Sequence, residues 1–302
     1  MAIHPRISEN NRFDSAMDRI SNVKAISDDV NETAVTGRKL KRLSDDPVST
    51  VKVLRARNKL SNIDQFKKII EFGKGFLAKS EDVLTSIQDA LVRVKELSIQ
   101  QANTTYNDSA RKAVAEEVKS LRGHIIQLGN ASYNDKFVFG GFQTKQPPIE
   151  SDGTFTGDDG KIFVQTDEDT FTPLNVSGRN IFDVPVEQQG LRPPLPKILE
   201  NIYNSLENYN PDELHENMNY LDSAMDNLLT ELSSLGAKGN LLHEISQGVD
   251  KNEVQLNTDI DKLESADMTK SAMDLKRAES VLQFTMQSTS KMITPTLLDF
   301  LR

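Results

Sequence analysis

The 302-residue sequence predicts a mainly α protein, an elongated coiled-coil-like bundle of long helices carrying a small β-rich insert. Three observations lead to that class. Proline is absent between Pro47 and Pro147 and between Pro211 and Pro295, whereas residues 140–196 hold 7 of the 11 prolines and 7 of the 15 glycines. Helix interiors exclude proline because it lacks the N–H and clashes with the preceding turn, so two helical territories flank a loop-and-strand segment. Within both territories apolar residues recur at alternating spacings of three and four, which marks a narrow seam. Finally, apolar residues make up 37% of the chain, or about 42% with glycine, against ~45–50% for compact globular domains. A thin apolar supply suits a long body with little interior.

Taken in order, a first helical stretch covers about residues 12–40. Asp46 reads as the N-cap of a second helix, with Pro47 at its first position. That helix runs to about Asn103, roughly 80 Å at 1.5 Å per residue. Its seam is Val53, Ala56, Leu60, Ile63 and Ile70, then Leu77, Leu84, Ile87, Leu91 and Val94. Gly73 and Gly75 are its weak point, at ~1 kcal/mol each against Ala. A third helix follows Asn107-Asp108, with Val114, Val118, Leu121, Ile125 and Leu128.

The insert begins with Phe137-Val138-Phe139-Gly140-Gly141-Phe142, a strand meeting a turn. Phe137, Phe139 and Phe142 are read as a local core. Residues 154–164 read as a hairpin around Gly157-Asp158-Asp159-Gly160. Pro185, Pro193, Pro194 and Pro196 predict an irregular return. Asn210-Pro211 then starts the last territory, with Leu214, Met218, Leu221, Met225, Leu228, Leu232 and Leu235, and, after Gly236 and Gly239, Leu242, Ile245, Val249, Leu256, Ile260 and Leu263.

The outermost stretches, about 12–40 and 266–294, can bury their apolar stripes only against each other or against other subunits. The positions expected to form that assembly interface are Phe13, Met17, Ile20 and Val30 at one end of the chain. Leu275, Leu282, Met286, Ile293, Leu297, Leu298 and Phe300 are their counterparts at the other. Charge is uneven as well. Residues 1–70 carry a net +5 and residues 150–302 a net −15, which fits either pairing of the two terminal arms, within or between chains, or simply solvated helix faces, since each exposed pair contributes only ~0–1 kcal/mol.

Catalytic chemistry does not emerge. With no Cys, disulfides, thiolate metal sites and cysteine nucleophiles are excluded. His4, His124, His215 and His243 have no metal-ligand spacing, and Glu213-Leu214-His215 and His243-Glu244 do not make the Glu-x-x-His sets of di-metal bundles. The acidic run 152–160 lacks EF-hand spacing. No phosphate-binding or nucleophile-elbow motif is present. The chain is expected to be neither an enzyme nor a holder of cofactor or metal. A net charge of −9 argues against a nucleic-acid surface. No run approaches the ~18–20 apolar residues of a membrane helix, and residues 1–11 carry no cleavable-signal core.

Several motifs resemble the flagellin superfamily. Thr36-Gly37-Arg38-Lys39-Leu40 followed by Leu43-Ser44-Asp45-Asp46-Pro47-Val48 is similar to its Ser-Gly-Lys-Arg and Asp-Asp segment. Asp-Asp-Pro, together with Asn130-Ala-Ser-Tyr-Asn-Asp-Lys-Phe-Val-Phe139-Gly140-Gly141, resembles the hook–filament junction branch more than flagellins proper. Leu235-Gly236-Ala237-Lys238-Gly239-Asn240 resembles a shared Gly-Ala-Arg-x-Asn turn, Leu263 to Asp267 the shared C-terminal start, and Leu297 to Leu301 the junction branch's tail. The resemblance covers about 1–145 and 197–302.

That resemblance implies helices from both chain ends paired in layers. A terminal assembly domain would comprise 1–46 with 266–302, and a rod 47–145 with 197–265, including a β-hairpin near 133–145. An outward β-rich insert would span 146–196. It further implies secretion through the flagellar export apparatus without a cleaved signal. The implied partners are further copies in a ring, a hook-side junction protein, flagellin, and an export chaperone on the C-terminal helix. A filament-forming flagellin is the alternative.

Overall fold

The computed structural model describes residues 5–102, 108–183 and 192–293. In chain order it contains α1 (Pro5–Thr36), α2 (Pro47–Ala102), α3 (Asp108–Gly129), strands β1 (Ser132–Tyr133), β2 (Lys136–Phe137), β3 (Phe163–Gln165) and β4 (Phe171–Pro173), then α4 (Gly178–Phe182), α5 (Leu195–Glu207), α6 (Pro211–Glu264) and α7 (Met268–Ile293). The mainly α class with a small β insert is therefore correct, as are the starts of α2 and α6. By contact the chain divides into two compact units, one Asn62–Asn252 and the other Met1–Ser61 with Glu253–Arg302.

The 62–252 unit is organised by seven-residue repeats. In α6, Leu214, Leu221, Leu228, Leu235, Leu242 and Val249 are all buried, and in α2 so are Ile63, Ile70, Leu77, Leu84 and Leu91. Spacing by seven keeps one line of side chains on one face of a helix. Val118 and Ile125 of α3 and Ile198, Ile202 and Leu206 of α5 complete the same core.

α2 is unbroken at Gly73 and Gly75 because both glycines are sites of close approach. A Cβ at Gly73 would stand 3.1 Å from the Leu242 methyl and 3.2 Å from that of Leu174. One at Gly75 would run into the Tyr133 ring, which is itself held by Phe72 and Phe76 at centroid distances of 5.6 and 6.4 Å. The ring reaches that position from the β1–β2 turn, where Asn134 (φ 47°) and Asp135 (φ 60°) take the two left-handed conformations of a type I′ turn.

Four expectations need correction. The hairpin lies further along the chain than predicted, with Phe163 opposite Pro173 and Gln165 opposite Phe171. The Asp-Gly segment is engaged elsewhere. The Asp158 carboxylate accepts from the backbone N–H of Phe142 (2.7 Å) and Gly160 (2.8 Å), and Asp159 accepts from Ser177 Oγ (2.7 Å) and pairs with Arg179 (3.1 Å). Those bonds fold residues 158–160 onto the Gly140-Gly141 turn rather than closing a ladder.

The proline-rich return also contains a helix, since α5 starts directly after Pro194 and carries Pro196 in its first turn. There the missing N–H has no helical partner to lose. Residues 235–240, expected as a turn, lie within α6. A Cβ on Gly236 or Gly239 would meet nothing within 4 Å, while Leu235 and Leu242 on either side are buried and keep the helix continuous. Of the aromatic cluster, Phe139 is fully buried and edge-on to Phe182 at 5.5 Å, but Phe142 is exposed.

Two glycine replacements should move stability in opposite directions. Gly75→Ala, despite alanine's better helix propensity, should lower unfolding free energy by about 1–3 kcal/mol through overpacking against Tyr133. Gly236→Ala should raise it by about 1 kcal/mol. Denaturant titration of the two variants measures both.

Candidate assembly surface

The other unit is built around a double turn in which the chain passes from α1 to α2 beside its passage from α6 to α7. Gly37, in the left-handed region at φ +69°, ends α1 and donates its N–H to Thr33 O at 2.9 Å. The two passages are tied by Ala266 N–H to Gly37 O and Lys39 N–H to Glu264 O, both 2.8 Å. Glu264 also accepts from the Arg57 guanidinium at 2.9 and 2.8 Å, with Arg38 at 3.5 Å. These join basic N-terminal and acidic C-terminal residues, as the charge asymmetry suggested.

The acidic family-motif residues of this region hold turns and helix starts. Asp45 accepts from Lys41 and Arg42 N–H at 3.1 and 2.8 Å, and Asp46 from Val48 and Ser49 N–H at 3.1 Å each. Pro47 opens α2, where the donor it lacks would have no helical acceptor. Asp267 caps α7 through Thr269 and Lys270 N–H at 2.9 and 3.1 Å. The Arg42 and Lys41 backbone donors hold the Asp45 carboxyl below the ordinary aspartate range. Ser49, by its hydroxyl and then its N–H, does the same for Asp46.

α7 is the element that packs along α1. Among the described side chains, the buried positions of the pair are small, Ala16 and Ser27 on α1 and Ser271 and Thr289 on α7. Ile20, Val30, Leu275 and Leu282 are half-buried. Phe13, Met17 and Met286 are exposed, as are Ile26, Val35, Met273, Val281 and, at 71%, Phe284. At about 100° per residue, Met273, Val281 and Phe284 share an arc of roughly 80° turned away from the Ser271–Thr289 line. Ile26, Val35, Met273, Val281 and Phe284 escaped a reading that followed one stripe per helix; their signal was a second, weaker apolar repeat. The Ile293 side chain, and Leu297, Leu298 and Phe300 entirely, lie outside the described residues.

In the 62–252 unit, Asn130 clasps the insert, its amide donating to Ile149 O (2.8 Å) and accepting from Ile149 N–H (2.9 Å). Gly140 and Gly141 (φ +64°) make the turn against which Asp158 folds. Gly236 and Asn240 are exposed on α6.

Among the described residues no group of three or more His, Asp or Glu could hold a metal, and no helix is long and apolar enough to cross a membrane. His243 lies 3.0 Å from Gln247, four residues on; His124 and His215 are exposed; His4 is outside the described residues.

Long, capped helices from both chain ends define a helical protein that leaves large apolar side chains of α1 and α7 exposed. The bacterial flagellin N-terminal helical region matches residues 7–144 and the bacterial flagellin C-terminal helical region matches residues 218–301. The chain belongs to the flagellin superfamily. It is 24% identical over 180 residues to the flagellar hook-associated protein 3 of Escherichia coli, covering 59% of this chain and 57% of that one. The alignment thus spans little more than half the relative's length. The flagellar filament 33 kDa core protein of Treponema phagedenis is 22% identical over 256 residues, 83% of each chain. A solved Vibrio parahaemolyticus structure, assigned as a flagellar hook-associated protein, superposes with a TM-score of 0.67 at 21% identity over 73% of this chain and all of that one.

Two tests follow from the geometry. A carboxylate whose pKa is depressed by folding stabilises the fold above its unfolded pKa, and that contribution is lost as pH falls through the folded value. Below about pH 3.9, therefore, the protection factors of the Lys41, Arg42, Val48 and Ser49 amides, taken against the intrinsic exchange rate at each pH, should fall, and the Asp45→Asn/Asp46→Asn variant should flatten that dependence. Separately, Asn130→Ala leaves both backbone groups of buried Ile149 without their partner and should cost about 1–3 kcal/mol, read as faster proteolysis within 140–183.

Proposed function

We propose that this chain is a structural subunit of the bacterial flagellum at the junction of hook and filament, of the hook-associated protein 3 kind. It forms a ring of copies between a hook-side junction protein and the flagellin filament. The observation that carries this reading is the set of large apolar side chains left exposed on α1 and α7, Phe13, Ile26 and Phe284 among them, although the two helices pack together. Neighbouring subunits bury those side chains by helix packing in grooves. In this reading residues 1–46 with 266–302 form the assembly layer, 47–145 with 197–265 the rod, and 146–196 an outward insert. The subunit reaches the cell exterior through the flagellar export apparatus without a cleaved signal, with a chaperone on its C-terminal helix.

A filament-forming role is the second reading, supported by the Treponema alignment over 83% of each chain. The Asp45-Asp46-Pro47 cap and the Tyr133 to Gly141 segment favour the junction. A deletion strain separates them: bare hooks with intact flagellin shed into the medium indicate the adaptor, whereas loss of the filament protein itself indicates flagellin.

Burying a large apolar side chain contributes about 1.5–3 kcal/mol. Phe284→Asp should therefore weaken incorporation onto isolated hooks at least about tenfold while leaving the thermal unfolding of the 62–252 unit unchanged. Normal incorporation of this variant contradicts the proposal.

A further inference from the structure

We propose that Met17, Met268, Met273 and Met286 are oxidation sites on the assembly helices α1 and α7, through which peroxide switches a free subunit to an assembly-incompetent form. The idea rests on the assembly reading above and adds a modification chemistry to it.

With no Cys and no Trp in the chain, the thioether is its most readily oxidised side chain. Six methionines have described side chains. Met218 and Met225 are partly buried against the helical core. The other four are 49–62% exposed, and every one lies on α1 or α7. Oxidisable sulfur accessible to solvent is thus concentrated on the helices that carry the exposed apolar side chains.

The placement on each helix explains the sensitivity. Met268 and Met286 are 18 residues apart, about five helical turns, and so share one side of α7, flanking its contact with α1. Met273 shares the outward arc with Phe284, and Met17 follows Phe13 by one turn on α1. The Met268 sulfur lies 3.8 Å from the position a Cβ on Gly37 would occupy, beside the turn that ends α1.

In the reaction the sulfur lone pair attacks one oxygen of hydrogen peroxide, the S–O bond forms and the O–O bond breaks. The departing hydroxide takes the remaining proton and leaves as water. Sulfur is oxidised by two electrons and the peroxide is reduced by two. A flexible apolar contact becomes a polar sulfoxide that needs a hydrogen-bond donor, and Phe13, Val281 and Phe284 offer none from their side chains. Reductase treatment reverses the change. Once neighbours cover these helices, the same sulfurs are shielded.

The experiment treats purified full-length protein with hydrogen peroxide, maps oxygen addition by peptide mass spectrometry, and adds the protein to hooks isolated from a deletion strain. Met17, Met268, Met273 and Met286 should gain oxygen before Met218 and Met225. The treated protein should lose incorporation, and methionine sulfoxide reductase should restore it. A Met→Leu replacement at all four positions should keep incorporation after peroxide. Undiminished incorporation of oxidised wild-type protein, or equal oxidation rates at Met218 and Met225, overturns the proposal. Should untreated protein fail to incorporate, the assembly reading itself fails, and this inference falls with it. The mass mapping and reductase rescue use wild-type protein, so they decide the matter even if the fourfold variant folds poorly.

Discussion

Two helices can approach closely or cover large side chains, but a contact built from small residues does not do both. Ala16 and Ser27 meet an α7 whose own buried positions are Ser271 and Thr289. That choice brings the backbones together and leaves Phe13, Ile26, Met273 and Phe284 on the outside. Exposed apolar surface on this scale is characteristic of binding faces, and the proposed role follows from it.

The 62–252 unit obeys the opposite rule. Its six-member heptad line on α6 and the matching line on α2 are buried within the chain. The insert is attached to that core by a few directional contacts, the Asn130 clasp on Ile149, the Asp158 bonds to the Gly140-Gly141 turn and the Phe139–Phe182 edge contact. The buried core of this unit and the proposed assembly contacts therefore use different residues.

The residues that carry the family resemblance are mostly architectural. Asp45, Asp46 and Asp267 satisfy backbone donors at turns and helix starts, Gly37 supplies a left-handed backbone, and Glu264 collects Arg57 and Arg38. Such positions determine where the chain turns, and the turns determine which helices lie side by side. They do not themselves supply the exposed apolar side chains.

The sequence by itself determined the helices, because proline exclusion and three-four periodicity are local. It also determined the Asp46 and Asn210 starts, because capping is local too. Which acids close a hairpin was decided only in three dimensions. Asp158 and Asp159 are consumed by Phe142, Ser177 and Arg179, residues 16 to 20 positions away in the chain. Glycine behaved likewise. Gly75 makes room for Tyr133 whereas Gly236 faces open space, a distinction no composition carries. Of the exposed apolar positions on α1 and α7, Phe13, Met17 and Met286 were legible, since they stand on the predicted stripes. Phe284 and Ile26 were not, because whether an apolar helical residue faces its partner or solvent depends on how two helices are rotated against each other, and that rotation is a property of their packing.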